Sequence, residues 1–316
     1  MARTPLSGTQ YTLRAGHDEA VIASVGASLR SFRHAGRDLV VPFDADEVRP
    51  AYRGATLAPW PNRIVDGRYT FAGTAYQTAL TEPGRGQALH GLVAWLDFDA
   101  VDRGVDHVTL AATIEPQLGY PWRVRVETRY ELSDAGLSQT VTARNEGTAA
   151  APFGTGPHPY LVAGPHPLDE WTLSLPADRV LETTPDRLSP TDLVGVESDA
   201  ERFDFREERV IGAVEIDHAY TGLVRDAEGG AAVIVRDVQA GTGVAIEWDA
   251  ACPWVQVHTA DQPEGPASPA HRAGLAVEPM TCAPDAFNAD AYPFDAGLLV
   301  LEPGESAAAS WRIRAL

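Results

Sequence analysis

His158 lies between two prolines in the segment 154–161, which reads G-T-G-P-H-P-Y-L. Proline fixes its own φ and restricts the residue before it, so the backbone of His158 has little freedom. A rigidly placed imidazole suits a proton donor. A turn that merely contains a histidine has the same local sequence, so the rest of the chain must decide between the two interpretations.

Polar residues also stand at four other points where a strand pattern changes to a loop. These are N-R-I at 62–64, L-H-G at 89–91, I-D-H at 216–218, and V-E-P at 277–279 with P-D-A-F-N at 284–288 beyond it. In this order, together with G-P-H-P-Y-L, they span nearly the whole chain and resemble the aldose 1-epimerase (galactose mutarotase) family. The ordered set carries the resemblance, rather than any one segment.

The resemblance implies both a fold and a reaction. The fold is a large antiparallel β-sandwich (galactose mutarotase-like supersandwich) that binds sugar on one concave sheet. The reaction is the interconversion of the α and β anomers of free aldohexoses such as galactose or glucose, and the implied enzyme is a cofactor-independent isomerase. Its partner is a small-molecule sugar. The oligomeric state stays open between monomer and dimer.

Changing an anomer requires opening the sugar ring, and ring opening needs one acid and one base. A proton leaves the C1 hydroxyl, another reaches the ring oxygen, and the ring closes again after rotation about C1–C2. By resemblance, Glu278 is the catalytic base and His158 is the catalytic acid. Because a nearby carboxylate favours the charged imidazole, we expect His158 to be protonated near neutral pH.

The resemblance also implies a set of substrate-binding residues. His90 would lie near the ring oxygen, and Arg63 would bind the sugar from a loop that Asn62 supports. Asp217 would accept hydrogen bonds from sugar hydroxyls. Plainer alternatives stay open: a core histidine for His90, a structural ion pair for Arg63 and a turn cap for Asp217. Glu278 would look the same as a surface glutamate at the end of a strand.

One departure from the family pattern bears on the substrate. In much of the family a glutamine follows the catalytic glutamate by two residues, whereas this sequence has Met280. The preferred aldose is therefore left open. Aromatic rings are expected to complete the pocket, because sugars stack their apolar C–H faces on them. Trp60, Trp95 and Tyr160 lie next to the candidate segments, and we expect one of them to be the sugar platform.

Composition excludes several classes of function. The 316 residues are 44% hydrophobic and 22% charged, as in soluble globular proteins. The formal net charge of −19 argues against nucleic acid and anionic membranes as partners. All 25 basic residues are arginine, which excludes a P-loop lysine and a Schiff-base lysine. The sequence has no apolar N-terminal segment and no apolar run of membrane-spanning length, so we expect a cytoplasmic protein.

The histidines and cysteines do not have the spacing of a metal site. Cys252 and Cys282 are too few for a disulfide framework or a structural zinc site, so we predict buried free thiols. His158 and His166 are eight residues apart, and H-E-x-x-H does not occur. We therefore expect neither a metal nor a cofactor.

Strand patterns are expected to position these residues. Apolar and charged residues alternate over 123–132, and a turn at 133–136 leads to a second alternating run at 137–143, which predicts a β-hairpin. Amphipathic helices are scarce. We predict an all-β sandwich in one domain, residues 1–316, from these two runs and from further alternating runs at 108–114, 233–235, 244–248 and 311–313.

Turn signals and Pro/Gly-rich stretches predict how these strands are connected. Asp66-Gly67 predicts a two-residue hairpin between 62–65 and 68–71. The acidic stretch 182–208 is predicted to be a long connection. The stretch 261–272, D-Q-P-E-G-P-A-S-P-A-H-R, is predicted to be a loop just before the segment that carries Glu278.

Two other classes of function stay open. The first is a non-catalytic carbohydrate-binding or sugar-sensing protein of the same fold, which would not need both His158 and Glu278. The second is a glycoside-acting enzyme, in which Asp217 and Glu278 would form a carboxylate pair. A mutarotase for hexose 6-phosphates would need a cluster of basic residues for the phosphate, and the sequence shows none.

Overall fold

The computed structural model describes residues 4–316, which form twenty-seven β-strands and a few short helices. The strands are β1 (Gln10–Ala15), β2 (Asp18–Ala23), β3 (Ser28–His34), β4 (Arg37–Asp38), β5 (Thr56–Leu57), β6 (Arg63–Val65), β7 (Arg68–Phe71), β8 (Thr74–Gln77), β9 (Gln87–Leu89), β10 (Asp99–Arg103), β11 (His107–Ile114), β12 (Val124–Ser133), β13 (Gly136–Asn145), β14 (Ala151–Phe153), β15 (Gly156–Pro157), β16 (Tyr160–Leu161), β17 (Thr172–Ser174), β18 (Ala177–Thr183), β19 (Pro190–Gly195), β20 (Arg209–Val210), β21 (Asp217–Leu223), β22 (Ala231–Asp237), β23 (Thr242–Trp248), β24 (Trp254–His258), β25 (Leu275–Met280), β26 (Leu299–Leu301) and β27 (Ser306–Ala315). The helices are α1 (Ala200–Phe203) and the 3-10 turns Pro50–Tyr52, Leu168–Glu170, Val196–Asp199, Gly265–Ala267 and Ala286–Ala291.

Two antiparallel sheets form the main layers. The larger has nine strands in the order β10-β11-β12-β13-β27-β23-β22-β17-β20, and the smaller has six in the order β16-β25-β24-β21-β18-β19. One hydrophobic cluster contains Val126 and Ile246 of the nine-stranded sheet together with Val257 and Val277 of the six-stranded sheet. The core therefore lies between the two sheets, and the all-β sandwich predicted from the sequence is confirmed.

A four-stranded sheet, β1-β2-β3-β4, and four two-stranded ribbons complete the described chain. Two of these ribbons matter for function. The ribbon of β6 and β9 pairs Arg63 with Leu89, and the ribbon of β5 and β15 pairs Leu57 with Gly156. These short pairings bring the N-R-I, L-H-G and G-P-H-P segments to the same end of the six-stranded sheet.

The hairpin predicted around 133–136 is confirmed, because β12 and β13 pair in continuous register from Val124↔Asn145 to Ser133↔Gly136. The hairpin predicted at Asp66-Gly67 is wrong. Both turn residues have the expected positive φ, 55° and 61°. However, β6 before the turn pairs with β9, and β7 after it pairs with β8. Long-range pairing therefore overrides the local turn signal.

The two predicted connections have different outcomes. The stretch 182–208 is not a plain connection, because it contains β19, which pairs with β18 at the edge of the six-stranded sheet, and also α1. The stretch 261–272 is a loop with a single 3-10 turn, as predicted. Cys252 and Cys282 are both buried and free, which confirms that prediction. That residues 1–316 form one domain stays a prediction.

Candidate active site

A cavity of about 670 Å³ opens at the end of the six-stranded sheet. Its lining contains every site residue that the sequence predicts. The residues that line it are Ala51, Tyr52, Asn62, Arg63, Glu82, Arg85, Leu89, His90, His158, Tyr160, Glu215, Asp217, Gln256, His258, Asp261, Gln262, Pro263 and Glu278. The volume falls in the range of about 300–1,000 Å³ that is typical of small-molecule sites.

Strand register sets the floor of this cavity. Successive residues of β24 point to opposite faces, so Val255 and Val257 join the core while Gln256 and His258 face the cavity. Gln256 lies directly opposite Glu278 of β25. In the neighbouring row, His258 lies opposite Asp217 of β21.

Glu278 and His158 meet on this floor. Glu278 lies inside β25 and is 2% exposed, which excludes the surface glutamate that the sequence left open. His158 is 5% exposed, and its Nε2 lies 3.5 Å from Oε1 of Glu278. Within residues 4–316, the buried atoms His158 Nδ1 and Glu278 Oε2 have no hydrogen-bond partner. Unpaired buried polar atoms are rare in native proteins and need a functional or structural explanation.

Burial shifts the pKa of both groups toward their neutral forms. It lowers the pKa of His158 to about 3, and the charge of His258 acts in the same direction. It raises the pKa of Glu278 well above its ordinary value, and the carboxylate of Asp217 adds to this shift. The expectation that His158 is protonated near neutral pH is therefore wrong for the protein alone, because desolvation outweighs the attraction of the Asp217 carboxylate.

His90 is fixed by two backbone contacts with Asn62. The amide N–H of His90 donates to the carbonyl of Asn62 at 2.7 Å, and the amide N–H of Asn62 donates to His90 Nδ1 at 3.2 Å. Because Nδ1 accepts this hydrogen bond, it carries no proton of its own. The proton of the neutral ring is therefore on Nε2. Burial lowers the pKa of His90 well below its ordinary value, and the charge of Arg63 acts in the same direction. His90 therefore offers an N–H donor at its Nε2.

The backbone at this point is unusual. Asn62 and His90 both have positive φ, 56° and 59°, in the left-handed region that few residues other than glycine adopt. The next residue, Gly91, has φ 72°, and a Cβ placed there would lie 2.1 Å from the carbonyl oxygen of Ala58. Glycine is therefore required after His90. Non-glycine residues in this region are found disproportionately at functional sites.

Arg63 makes a structural ion pair and also lines the cavity. Its Nε and Nη2 donate to the two carboxylate oxygens of Glu82 at 2.8 and 3.1 Å, and Arg85 donates to the same carboxylate at 2.9 Å. The carbonyl of Arg63 accepts the amide N–H of Asp285. The bidentate pair fixes the plane of the guanidinium, which leaves Nη1 with only a long contact of 3.4 Å to Asn62 Oδ1.

Asp217 is held by the residues around it. Gln256 Nε2 donates to Asp217 Oδ1 at 2.7 Å, and the backbone N–H of Asp217 donates to His218 Nδ1 at 3.1 Å. Burial alone would raise the pKa of Asp217, but the charges of His258 and Arg63 and the Gln256 hydrogen bond outweigh burial and lower it. Asp217 is therefore an ionised acceptor, and it does not cap a turn.

Aromatic rings form one wall. Tyr52 contacts His90 edge-to-face at 4.7 Å between ring centroids and stacks on His158 at 6.3 Å, and Tyr160 lies 5.2 Å from His158. Tyr160 thus lines the cavity, as expected. Trp60 does not, because it is buried against Phe287.

The remaining predicted platform, Trp95, is 51% exposed and also lies outside the cavity lining. It packs against Tyr52 at 5.6 Å between ring centroids, and the guanidinium of Arg49 covers it at 4.4 Å. Trp95 therefore supports the wall from behind, and Tyr52, which was not singled out from the sequence, lies beside the two histidines.

Several residues of the site were missed from the sequence, among them Tyr52, Glu82, Gln256 and His258. The alternation W-V-Q-V-H of β24 is visible in the sequence and shows that Gln256 and His258 share a face. Which face lies over the cavity depends on pairing with β21 and β25, and no local signal gives that pairing.

The described part of the chain gives no sign of a metal site or a membrane span. Within residues 4–316, no group of three or more His, Cys, Asp or Glu side chains is arranged to hold a metal ion. No helix over the same residues has the length and apolar character that a membrane crossing requires.

Proteins of one known family resemble this chain in sequence and in fold. The sequence profile of the family described as "Aldose 1-epimerase" matches residues 9–314. Protein YihR of Escherichia coli (strain K12) is 35% identical over 300 residues, which cover 95% of this chain and 91% of YihR. The structure of the GalM/aldose epimerase homologue from C. elegans matches with a TM-score of 0.83 and 19% identity, covering 98% of each chain. Galactose 1-epimerase from Lactobacillus acidophilus matches with a TM-score of 0.78 and 15% identity, covering 97% of this chain and 94% of that one. At these identities the structural likeness establishes the fold.

Proposed function

This chain belongs to the aldose 1-epimerase family, and we propose that it interconverts the α and β anomers of a free, neutral aldohexose such as galactose or glucose. One observation carries the proposal. A buried imidazole and a buried carboxyl group lie 3.5 Å apart on the floor of a cavity of sugar size, and each has a polar atom that is unpaired within residues 4–316. Ring opening needs one acid and one base within reach of the same substrate, and His158 with Glu278 meets that requirement.

The neutral forms of His158 and Glu278 are compatible with this chemistry. A carboxylic acid with a neutral imidazole contains as many protons as a carboxylate with an imidazolium. Sugar hydroxyls that donate hydrogen bonds to Glu278 favour its ionised form, and the ionised carboxylate then favours the charged form of His158. Substrate binding thus converts the neutral pair to the working pair without a proton from solvent.

The reaction then proceeds by two proton transfers. Glu278 removes the proton of the C1 hydroxyl while His158 protonates the ring oxygen, so the bond between C1 and the ring oxygen breaks and an open-chain aldehyde forms. Rotation about C1–C2 presents the other face of the carbonyl. Reclosure reverses both transfers and returns the protons to where they began, which explains why no cofactor is needed.

Other residues of the cavity would hold the sugar. The Nε2–H of His90 donates toward the ring oxygen, Arg63 donates through Nη1, and Asp217 accepts from a hydroxyl. Gln256 lies next to Glu278, and its Oε1 is a buried acceptor with no partner within residues 4–316. We therefore add Gln256 to the substrate-binding residues.

The charge of the lining supports a neutral substrate. Two arginines line the cavity, Arg63 and Arg85, and both are paired with Glu82. The carboxylates outnumber them: Glu82, Glu215, Asp217, Asp261 and Glu278. A phosphate or carboxylate on the sugar would meet net negative charge in a partly desolvated site, which costs binding energy.

The direct test follows the anomers by NMR or polarimetry after α-galactose, α-glucose and α-galactose 6-phosphate are freshly dissolved. We expect the protein to accelerate mutarotation of the neutral sugars in proportion to its concentration, and to act less well on the phosphorylated sugar. A folded protein that leaves the spontaneous rate unchanged would contradict the proposal. Release of free sugar from an aryl glycoside would favour a hydrolase instead.

A further inference from the structure

A second histidine on the cavity floor, His258, has no role in the reaction described above. It ends β24, two residues after Gln256, and the strand alternation turns its ring to the same face as Glu278. It lines the cavity and its side chain is 24% exposed.

The tautomer of His258 is set by the backbone. Its Nδ1 lies 3.2 Å from the carbonyl oxygen of Ile216. A carbonyl only accepts hydrogen bonds, so Nδ1 must carry the proton. Nε2 is then the ring nitrogen left for a ligand, as an acceptor in the neutral ring or a donor in the charged one, and it has no hydrogen-bond partner within residues 4–316.

The position of His258 relative to Asp217 suggests what Nε2 binds. The two residues are directly opposite on β21 and β24, and His258 Nδ1 lies 4.0 Å from Asp217 Oδ1. Directly opposed side chains of antiparallel strands have Cβ atoms about 4.5–5.5 Å apart. The ring of His258 and the carboxylate of Asp217 therefore lie side by side on one face of the sheet, where two hydroxyl groups on neighbouring ring carbons of a sugar can each contact one of them.

We propose that His258 is a substrate-binding residue whose Nε2 makes a hydrogen bond with the sugar hydroxyl adjacent to the one that Asp217 holds, so that the pair selects the configuration of a vicinal diol. This inference rests on the proposed function, because it takes an aldose as the ligand of the cavity. It names a specificity determinant that Met280 does not provide, since Met280 packs in a hydrophobic cluster with Trp254 and Cys282.

The plainer alternative is that His258 only anchors the end of β24 to Ile216. Two substitutions separate the alternatives, because one keeps a polar atom at the position of Nδ1 and the other keeps one near the position of Nε2. His258→Asn keeps a donor at the position of Nδ1 and removes the distal ring nitrogen, Nε2. His258→Gln places an amide near the position of Nε2 and gives up the anchoring donor.

The experiment measures the Kd of galactose and glucose by calorimetry for the wild type and both variants. If His258 binds substrate, His258→Asn weakens the affinity for the preferred aldose by roughly three- to ten-fold, the effect of one neutral hydrogen bond, and by more than His258→Gln does. If His258 is only an anchor, the order reverses, and that result would overturn the proposal. His166→Asn, a histidine outside the cavity, is the matched control and should leave the affinity unchanged.

A set of deoxygalactoses then identifies the hydroxyl. In the wild type, removing the partner hydroxyl should weaken binding by the same factor as His258→Asn, and in His258→Asn that removal should cost nothing further. Independent losses at every hydroxyl would overturn the proposal. Binding needs no turnover, so a protein that binds aldoses without accelerating mutarotation would contradict the proposed function and would still test His258.

Discussion

Gln256 and Glu278 lie directly opposite each other on neighbouring antiparallel strands, and each has a buried side-chain oxygen without a partner within residues 4–316. Two unpaired polar atoms side by side cost stability in a protein whose other buried polar groups are largely paired. Hydroxyl donors of a bound sugar would satisfy both. The same register that forms the sheet thus prepares the binding site.

His158→Ala should lower kcat/KM for mutarotation by about 10²–10⁴-fold, because the loss of one general acid or base usually has this effect. The fold should survive, since the variant removes a side chain whose Nδ1 has no hydrogen-bond partner in the described part of the chain. Stopped-flow polarimetry measures the rate, and circular dichroism with thermal melts checks the fold. A well-folded variant with the wild-type rate would remove His158 from the mechanism.

Asp217→Asn should weaken sugar binding by roughly ten-fold or more, because a hydrogen bond to a charged acceptor contributes about 1.5–3 kcal/mol. Its thermal stability should change little. Asp237→Asn is the matched control, because Asp237 is a buried carboxylate outside the cavity that accepts from the backbone N–H groups of His166 and Ala240. The control should lose stability and keep its affinity. Calorimetric titration with galactose and thermal melts of both variants decide between binding and fold, and the reverse pattern would argue against the assignment.

How much of this the sequence predicts depends on how local each feature is. The hairpin of β12 and β13 is predicted because its alternation and its turn are adjacent in the chain. His158 and Glu278 are predicted because they lie in family motifs. The turn at Asp66-Gly67 forms locally, yet its flanking strands pair with residues farther along the chain, and no local pattern shows that choice.

Gln256 and His258 illustrate the same limit within the site. Their alternation is visible in the sequence, but their function depends on Asp217 and Glu278. Asp217 lies 39 positions before Gln256, and Glu278 lies 22 positions after it, so only the folded sheet brings these residues together. Protonation is equally non-local. The carboxylate beside His158 suggests a charged ring, whereas the depth of burial decides for the neutral one.

Acid should destabilise the protein between about pH 6.5 and pH 4, in part through His218. Burial lowers the pKa of His218 to about 4 in the folded protein, whereas an unfolded chain takes up the same proton near pH 6.5. Between these values the unfolded state binds more protons, so the free energy of unfolding falls as pH falls, by up to about 3 kcal/mol for this residue. Melting temperatures measured across this range should fall more steeply for the wild type than for His218→Gln. Parallel curves would contradict this contribution.

Exhaustive chelation should leave mutarotation unchanged, because the proposed reaction uses only side-chain proton transfers. The measurement compares the rate before and after dialysis against EDTA, with a zinc add-back as the control. Loss of activity on chelation and its restoration by zinc would show that the acid–base account is wrong.

Glu278→Gln tests the central claim most directly, because glutamine keeps the size of the side chain and cannot take a proton. The measurement is the rate of anomer exchange of galactose by NMR at saturating sugar, with the Kd of galactose determined for the same sample. We predict a fall in rate of at least about 10²-fold with galactose still bound and the fold intact. A folded variant that binds galactose and exchanges its anomers at the wild-type rate would contradict the account.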